Sequence, residues 1–474
     1  MKTPGTPVTP EFALVNALTQ FPIGSVFGDS EFSSTPDIQT HMVPRGLIHM
    51  STVKPVHNLP IPSELRHADS TNTPTVDTMV TSIYDHVKRT NPEEYSNEDK
   101  NTKTLTPRTI DESYRKFVIP LSTDAAKRKD YLSAQGNVRI GKILEDLDHM
   151  AVHVAYVHNS ESGSLEGPMS LPRTIVTASV HRIDFHKEDI KSNTDIIIDG
   201  QVTFAGTSSM QISIRLFQND EKNNLTLMLK AQFFMVSRDP LDGSRKVRIH
   251  PLIVTTPDQA EIFNLTKARI RYLGNTEEMK PKNDELRLIH DVYNNLIARN
   301  KLTETPVLND TEMWIHKTAI SLTEICFPEY QNMYGKIFGG FLMRKALELA
   351  YTYSKLFCKG RVVLRSMDRI EFAKPVEIGD ILHLDSLITY TKDNYIQVKV
   401  LAAVSDQKKF PELAAANNPS LGEEARVQTN MFNFTMESVE NRNIHKVLPK
   451  HYVHANSYLE GRRLLNSHLT RHID

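Results

Sequence analysis

Residues 332–350 of the chain read Asn332-Met333-Tyr334-Gly335-Lys336-Ile337-Phe338-Gly339-Gly340-Phe341-Leu342-Met343-Arg344-Lys345-Ala346-Leu347-Glu348-Leu349-Ala350. The three glycines free the backbone to turn tightly and to approach a ligand closely. The apolar residues that follow have helical spacing: Leu342, Ala346, Leu349 and Tyr353. This pattern predicts a helix that begins at the glycines, with amide groups that donate to an anionic oxygen because they have no intrahelical acceptor. The glycines alone also fit a turn packed against a strand.

A second copy of this stretch lies upstream, and it reads Ser133-Ala134-Gln135-Gly136-Asn137-Val138-Arg139-Ile140-Gly141-Lys142-Ile143-Leu144-Glu145-Asp146-Leu147-Asp148-His149-Met150-Ala151. Gly136 matches Gly335, and Gly141 matches Gly340. The apolar stripe matches in register as well: Ile143, Leu147, Met150 and Val154. The two copies therefore predict one amphipathic helix built twice.

Alternating apolar and polar residues follow each predicted helix, as they do in strands. The matching segments are 181–187 with 368–374, 202–214 with 388–400, and 231–236 with 429–434. Each half therefore reads strand, glycine turn, long apolar helix and several antiparallel strands. This order predicts an α+β fold in which a curved antiparallel sheet wraps around a central helix in each half.

The chain resembles the tandem hotdog-fold acyl-coenzyme A thioesterases, and most of all their mitochondrial branch numbered nine. The resemblance is carried by the order of elements, by the motif over residues 335–346 and by the strand Phe372-Ala373-Lys374-Pro375-Val376-Glu377-Ile378-Gly379-Asp380. It runs from about Ser113 to the C-terminus and implies two hotdog domains that form an intrachain pseudo-dimer. We accordingly predict an N-terminal extension over 1–112, hotdog domain 1 over 113–240, a helical connector over 241–311, hotdog domain 2 over 312–440 and a C-terminal tail over 441–474.

The composition argues against several classes of protein. The formal net charge is −1 and 24% of the 474 residues are charged, so there is no bulk basicity to indicate a nucleic-acid partner. Cys326 and Cys358 are the only cysteines, which excludes a disulfide framework and a cysteine-rich zinc site. No apolar run approaches the ~20 residues of a membrane helix. We expect a soluble protein without a membrane span, metal or redox cofactor.

The first segment of the chain, residues 1 to about 75, is rich in Pro, Thr and Ser and reads as irregular. A mitochondrial presequence is Arg-rich and poor in acidic residues, whereas here Glu11, Asp29 and Glu31 all come before the first arginine, Arg45. A location in the mitochondrial matrix therefore rests on the family resemblance, and the cytoplasm is the alternative. A helix is predicted over 76–89.

The connector and the tail carry more local patterns. Thr256-Pro257-Asp258-Gln259 predicts a helix start with a capping box, and Gly274 is expected to end that helix. A second helix is predicted after Asn283, with one apolar face: Leu286, Ile289, Tyr293 and Leu296. The tail over 441–474 is basic, and a solvated surface is favoured there over a contact with coenzyme A phosphates.

Two polar positions distinguish the halves. Asp148 lies in the helix of the first half, and its counterpart in the second is Leu347; conversely, Asn332 has Ser133 as its counterpart. In a hotdog dimer the two helices run antiparallel across a shared interface, so one site combines the glycine turn of one half with the helix carboxylate of the other. If the halves pair in this way, Asn332 and Gly339 meet Asp148, and the opposite site lacks this polar equipment.

These residue types suit thioester hydrolysis. Asp148, on an otherwise apolar helix, would act as base or nucleophile, because burial raises the pKa of a carboxyl towards the working range. The Gly339 N–H would stabilise the oxyanion, and the Asn332 amide would orient water or substrate. The family resemblance assigns the same roles to the same positions. Gly335 and Gly340 would let the substrate approach the turn.

Each of these residues also has a structural interpretation. An acid that follows Glu145 and Asp146 is usually solvated, an isolated Asn is usually a turn residue, and His149 beside an apolar stripe is usually structural. The hydroxyl that some hotdog thioesterases place one turn after the carboxylate is absent, since that position is Val152. Four basic residues are candidates for coenzyme A phosphates or for solvated surface: Arg344, Lys345, Arg365 and Lys374.

The favoured function is hydrolysis of fatty acyl-CoA to free fatty acid and coenzyme A. The alternative is a catalytically degenerate acyl-CoA-binding or assembly protein. A hotdog hydratase would need a His–Asp pair after the first strand, and none is seen. Since hotdog pseudo-dimers assemble through sheet edges, we also expect a homo-oligomer such as a trimer of two-half chains.

Overall fold

The computed structural model describes residues 73–90, 103–167, 169–187, 190–273, 280–299, 307–405, 426–440 and 444–471. The described residues fall into two compact units. The N-terminal unit contains those within Ile23–Asn275 together with Gly339–Arg344 and those within Leu469–Asp474. The C-terminal unit contains those within Thr276–Phe338 and Lys345–His468. The architecture combines α-helices with antiparallel sheet, which confirms the predicted α+β composition.

The N-terminal unit is built around a long helix and five antiparallel strands. Its elements are α1 (Val76–Lys88), β1 (Arg108–Thr109), α2 (Ile110–Ser113), β2 (Arg115–Ile119), α3 (Ala125–Asp130), α4 (Ile140–His158), β3 (Thr174–Phe185), β4 (Ile196–Ala205), β5 (Ser209–Asn219), β6 (Leu225–Arg238), β7 (Leu252–Ile253) and α5 (Pro257–Leu273). The main strands follow the order β2-β4-β5-β6-β3. A Cβ placed on Gly200 of β4 would lie 3.1 Å from Met150 and 3.4 Å from Val154 of α4, so the sheet packs closely on this helix.

The apolar stripe predicted for α4 forms the centre of this packing. Ile143, Leu147, Met150 and Val154 are all fully buried. Each Å² of apolar surface that this stripe removes from water contributes about 25 cal/mol to the stability of the unit. The opposite face of the sheet is covered by α5, where Phe263 and Ile270 pack against Phe234.

The C-terminal unit repeats the strand order. Its elements are α6 (Asn283–Ala298), β8 (Glu312–Trp314), β9 (Ile320–Ile325), α7 (Gly339–Cys358), β10 (Val362–Phe372), β11 (Ile381–Lys392), β12 (Tyr395–Ser405), β13 (Arg426–Ser438), β14 (Lys446–Leu448) and α8 (Tyr452–Arg471); the first six residues of α7 group with the N-terminal unit, as do the residues of α8 from Leu469 on. The main strands follow the order β9-β11-β12-β13-β10, which is the order of β2-β4-β5-β6-β3. The duplication read from the sequence is thus present in the strand order of both units.

The glycine turns also repeat, hydrogen bond by hydrogen bond. In the first copy, Ser133 N–H donates to Asn137 O at 2.7 Å, and Gly136 N–H donates to Ser133 O at 3.1 Å. In the second copy the equivalent distances are 2.6 Å for Asn332 to Lys336 and 3.1 Å for Gly335 to Asn332. Gly136 and Gly335 have φ values of +84° and +70°, a conformation that strains residues with a Cβ. Each turn leads into its helix, as predicted.

The helices outside the repeat show where local patterns succeed and fail. The helix over 76–88 is confirmed, and so is the start of α5, where Thr256 Oγ1 accepts from Gln259 N–H at 3.3 Å. The apolar face predicted for α6 is wrong at Leu286, which is 47% exposed, because the buried position is taken by Glu285 in an ion pair with Arg463 of α8. Gly274 and the insertion expected at 406–424 lie outside the described residues. The helix α8 has no counterpart in the sequence prediction.

In these ranges no helix combines the length and the apolar character needed to cross a bilayer.

Candidate active site

Asp148 is a carboxylate buried on the central helix of the N-terminal unit. Asp148 is 2% exposed, although it follows the acidic residues Glu145 and Asp146. The run is not solvated as such runs usually are: Asp146 is also buried, and Tyr131 OH donates to its Oδ2 at 2.6 Å. Each acid of this helix therefore has a specific partner, which favours the functional interpretation of Asp148 over a solvated face.

Two hydrogen-bond donors hold the Asp148 carboxylate. Thr177 Oγ1 on β3 donates to Oδ1 at 2.6 Å, and the backbone N–H of Gly340 donates to Oδ2 at 2.8 Å. Gly340 is the second residue of α7, where a backbone N–H has no intrahelical acceptor and is free to bind an anion. The glycine turn therefore presents its amide groups to the helix carboxylate.

Burial raises the pKa of Asp148 to about 6, and the hydrogen bonds from Thr177 and Gly340 oppose this rise. Removal of a carboxylate from water disfavours its charged form, whereas an N–H or O–H donor favours it. The balance leaves the group largely ionised at neutral pH, with more proton affinity than an exposed aspartate has. This is the range in which a carboxylate serves as a general base.

A second contact joins the same two helix segments. Arg344 Nε lies 2.7 Å from Glu145 Oε1, and both side chains are largely buried, at 12% and 13% exposure. From Glu145 to Asp148 the chain advances along α4, while the partner on α7 moves back from Arg344 to Gly340. The two segments therefore run antiparallel within the N-terminal unit.

The turn that carries Asn332 is part of the C-terminal unit. Asn332 Oδ1 accepts from Tyr334 N–H at 2.9 Å and from Lys336 N–H at 3.2 Å, so the turn fixes which end of the amide is oxygen. The residue is half-buried. Asn332 therefore holds the turn, as its structural interpretation expected, and its Nδ2 group is directed away from those two bonds.

The other predicted site residues are two glycines of the turn and helix start and two arginines. Gly339 is the first residue of α7, and Gly335 occupies the left-handed position of its turn. Arg365 forms an ion pair with Glu437 on the neighbouring strand. Because Arg344 and Arg365 each have a carboxylate partner, their contact with coenzyme A phosphates stays a prediction without geometric support.

The structure favours the structural interpretation of His149, and it adds Thr177, which no sequence pattern indicated. Burial lowers the pKa of His149 to about 4, and its Nδ1 lies 2.9 Å from Glu145 O, which favours the structural interpretation of this histidine. Thr177 was missed. The sequence prediction noted only that the position one turn after the carboxylate is Val152 and has no hydroxyl; the hydroxyl that contacts Asp148 comes from a strand 29 residues later. Strand alternation alone does not show which hydroxyl will face a helix.

No group of three or more His, Cys, Asp or Glu side chains is placed to hold a metal ion in the described ranges.

The chain is similar to known thioesterases. It is 34% identical over 376 residues to mouse acyl-coenzyme A thioesterase 9, mitochondrial, covering 78% of this chain and 80% of the mouse protein. The human protein of the same name gives the same figures. A hop (Humulus lupulus) protein, acyl-coenzyme A thioesterase 4, mitochondrial, is 32% identical over 62% of this chain and 56% of its own length. No family model matches.

Solved structures are similar over parts of the chain. The acyl-CoA hydrolase of Staphylococcus aureus covers 34% of this chain and 93% of its own, with 20% identity and a TM-score of 0.29. An oleoyl thioesterase (putative) from Lactobacillus plantarum covers 72% of this chain and 99% of its own, with 7% identity and a TM-score of 0.40. The level of identity to the mammalian proteins and the share of both chains that it covers lead to one conclusion: this chain belongs to the acyl-coenzyme A thioesterase family of mitochondrial acyl-coenzyme A thioesterase 9.

Proposed function

We propose that the chain hydrolyses fatty acyl-CoA to a free fatty acid and coenzyme A. The observation that carries this proposal is the buried carboxylate of Asp148, which receives a hydrogen bond from Gly340 N–H at the start of a helix. Membership in the acyl-coenzyme A thioesterase family supports the same activity. In this reaction a C–O bond forms at the thioester carbonyl, the C–S bond breaks, and the sulfur leaves as a thiol after it gains a proton.

Asp148 is proposed as the group that starts the reaction. Either it removes a proton from water as the water attacks the carbonyl, or its own oxygen attacks and forms an anhydride that water then hydrolyses. The pKa of about 6 fits both routes, because the group is ionised at neutral pH and still accepts a proton. Thr177 would orient the carboxylate through its hydrogen bond to Oδ1.

Gly339 and Asn332 are proposed to complete the site. The Gly339 N–H lies at the first position of α7, where it has no intrahelical acceptor, and would stabilise the oxyanion; such a donor is typically worth about 3 kcal/mol. The Asn332 amide, oriented by its turn, would position the water or the carbonyl. Gly335 and Gly340 would leave room for the substrate, and Arg344 and Arg365 remain proposed contacts for coenzyme A.

The composite site requires the two halves to be hotdog domains paired as an intrachain pseudo-dimer. The repeated strand order and the antiparallel contacts of Glu145 with Arg344 and of Asp148 with Gly340 support this arrangement. The boundaries proposed for the two domains are 113–240 and 312–440, with a connector over 241–311.

Three further properties are proposed on the family alone. The mouse and human relatives are named mitochondrial, which supports a mitochondrial location for this chain. Assembly into a homo-oligomer, such as a trimer of two-half chains, follows the resemblance. The acyl-CoA substrate is the expected partner.

Thiol release from acyl-CoAs of increasing chain length tests the function. We expect wild-type protein to release thiol, and Asp148→Asn to lose most of the rate, by a factor of ~10³, because the general base is removed. Thermal melting would show that the variant is folded. Wild-type protein that binds acyl-CoA without releasing thiol would favour the binding-protein alternative, which no observation at the site supports.

A further inference from the structure

The ion pair of Glu145 with Arg344 lies one helical turn from the contact between Asp148 and Gly340. Glu145 is three residues before Asp148 on α4, and Arg344 is four residues after Gly340 on α7. Residues three or four apart share one face of a helix. The pair and the carboxylate–amide contact therefore form two adjacent rungs between the same two antiparallel segments.

Both members of the pair are held by further contacts. Glu145 uses Oε1 for Arg344 and Oε2 for Lys142, at 2.7 Å in each case. The Arg344 guanidinium lies 5.4 Å from the ring centroid of Phe341, which is 1% exposed. The contact between Arg344 and Glu145 is an ion pair between a guanidinium and a carboxylate. At exposures of 12% and 13% it is screened much less than a surface pair.

We propose that Glu145 and Arg344 are positioning residues for the reaction, and that their charge pair sets the register that brings the Gly340 amide onto the Asp148 carboxylate. The inference rests on the proposed thioesterase function and deepens it. It also gives Arg344 a different role from the coenzyme A contact expected from the sequence. The pair touches neither the reacting carbonyl nor the water; it acts through the distance between Asp148 and Gly340.

The pair has a consequence for proton affinity. If Gly340 N–H moves away from Asp148, the ionised carboxylate loses a donor and its pKa rises. The titratable and charged groups beside this contact are Lys142, Glu145, Asp146 and His149 on α4, Tyr131 before it, and Arg344 on α7. Lys142 and Arg344 are paired with Glu145, and Tyr131 is paired with Asp146. The hydrogen bonds that act on the pKa of Asp148 itself come from Thr177 and Gly340.

The experiment compares Arg344→Gln with Arg344→Lys. We expect Arg344→Gln to lower kcat about tenfold and to shift the acid limb of the pH profile of kcat to higher pH. Arg344→Lys keeps the charge and is expected to retain kcat within about threefold. Arg426→Gln is the matched control, because Arg426 of β13 also forms a partly buried ion pair, with Asp385 of β11 at 3.1 Å, and has no proposed role in binding or catalysis. This control is expected to lower thermal stability and leave kcat and the acid limb unchanged.

The outcomes separate this inference from the proposed function. Active wild-type protein with an unchanged pH profile and kcat in Arg344→Gln would overturn the inference and leave the function standing. Titration of the Asp148 carboxyl by ¹³C NMR, in protein labelled at aspartate, needs no turnover. A higher Asp148 pKa in Arg344→Gln than in Arg426→Gln supports the positioning role even in an inactive protein, and equal values refute it.

Discussion

The two turn–helix copies, residues 133–151 and 332–350, share a backbone and differ in chemistry. Their turns make the same hydrogen bonds at nearly the same distances, 2.7 and 2.6 Å for one pair and 3.1 Å for both members of the other. Their side chains diverge where a carboxylate would act. Asp148 of the first copy is matched by Leu347 of the second, and both residues are buried.

The divergence extends to the partner of the carboxylate. Thr177 pairs in register with Met235, which pairs with Met210 on β5. In the other copy Leu364 pairs with Met436, which pairs with Ile396, the counterpart of Met210 on β12. The strand register therefore makes Leu364 the counterpart of Thr177. A carboxylate and its hydroxyl donor in one copy thus correspond to two leucines in the other. A buried Asp without its donors is costly and a buried Leu is favourable, so the two positions are expected to change together. The comparison shows that the backbone of the repeat is kept in both copies, while the carboxylate and its hydroxyl donor are present together in one copy and absent together in the other.

The largest expected effect comes from moving the carboxylate between copies. Asp148→Leu should lower kcat/KM by a factor of ~10³, because the general base is lost. Adding Leu347→Asp to this variant should not restore activity, since the new carboxylate lacks the threonine donor and, in the proposed pseudo-dimer, would be matched with Ser133 in place of Asn332. Thiol release measures the effect, and thermal melting checks that both variants fold.

Recovery of activity in the double variant would break the comparison, because it would mean that both copies are equipped for catalysis. A stricter test adds Leu364→Thr and Ser133→Asn to the double variant. In the proposed pseudo-dimer these changes supply the missing hydroxyl donor and amide. A gain in rate is therefore expected only with all four substitutions.

The next effect separates the two roles of Asn332. Asn332→Asp keeps an oxygen for the N–H groups of Tyr334 and Lys336, and removes the amide donor. We expect kcat/KM to fall by roughly 10- to 100-fold, the range of one hydrogen bond to a charged group, with the melting temperature little changed. Ser133→Ala in the other copy should stay within about twofold of wild type. Equal losses of kcat/KM in the two variants would mean that activity depends on the structure of the turns and not on the Asn332 amide.

The smallest effect is on pH dependence. Thr177→Val removes the hydroxyl that donates to Asp148, so the carboxylate is less stabilised and its pKa rises above about 6. Activity needs the ionised form, and the acid limb of the rate profile should therefore move up by about one pH unit, with a fall in rate at pH 6. Thr177→Ser keeps the hydroxyl and should leave the limb in place. A profile that does not move in Thr177→Val would remove this residue from the site.

Much of the fold was predictable because it depends on periodic patterns that occur twice. The glycines, the apolar stripe of α4 and the alternating strands each gave the right element, and the repeat predicted that both halves contain the same elements. The error at Leu286 has a physical cause. Leu286 is exposed because Glu285 has a buried partner in α8, and such long-range ion pairs leave no local signal.

The site was predictable only in part for a similar reason. Asp148 stood out by comparison with Leu347, and the glycines located the helix amides. Thr177 could not be predicted because its contact depends on which strand residue faces the helix. The hydrogen bond from Gly340 to Asp148 depends on the register of α7 against α4, which no local sequence pattern shows. The placement of Asn332 relative to these residues stays a prediction.

The two donors to Asp148 are very unequal in sequence separation, at 29 residues for Thr177 and 192 for Gly340. During synthesis on the ribosome, which adds about 5–20 residues per second, the first half emerges well before the second. The nascent N-terminal segment therefore carries the carboxylate proposed as the base with one hydrogen bond missing, for roughly ten seconds or more. A ribosome that stops before residue 340 releases a fragment that contains this carboxylate and its threonine donor but not the amide that completes its hydrogen bonds.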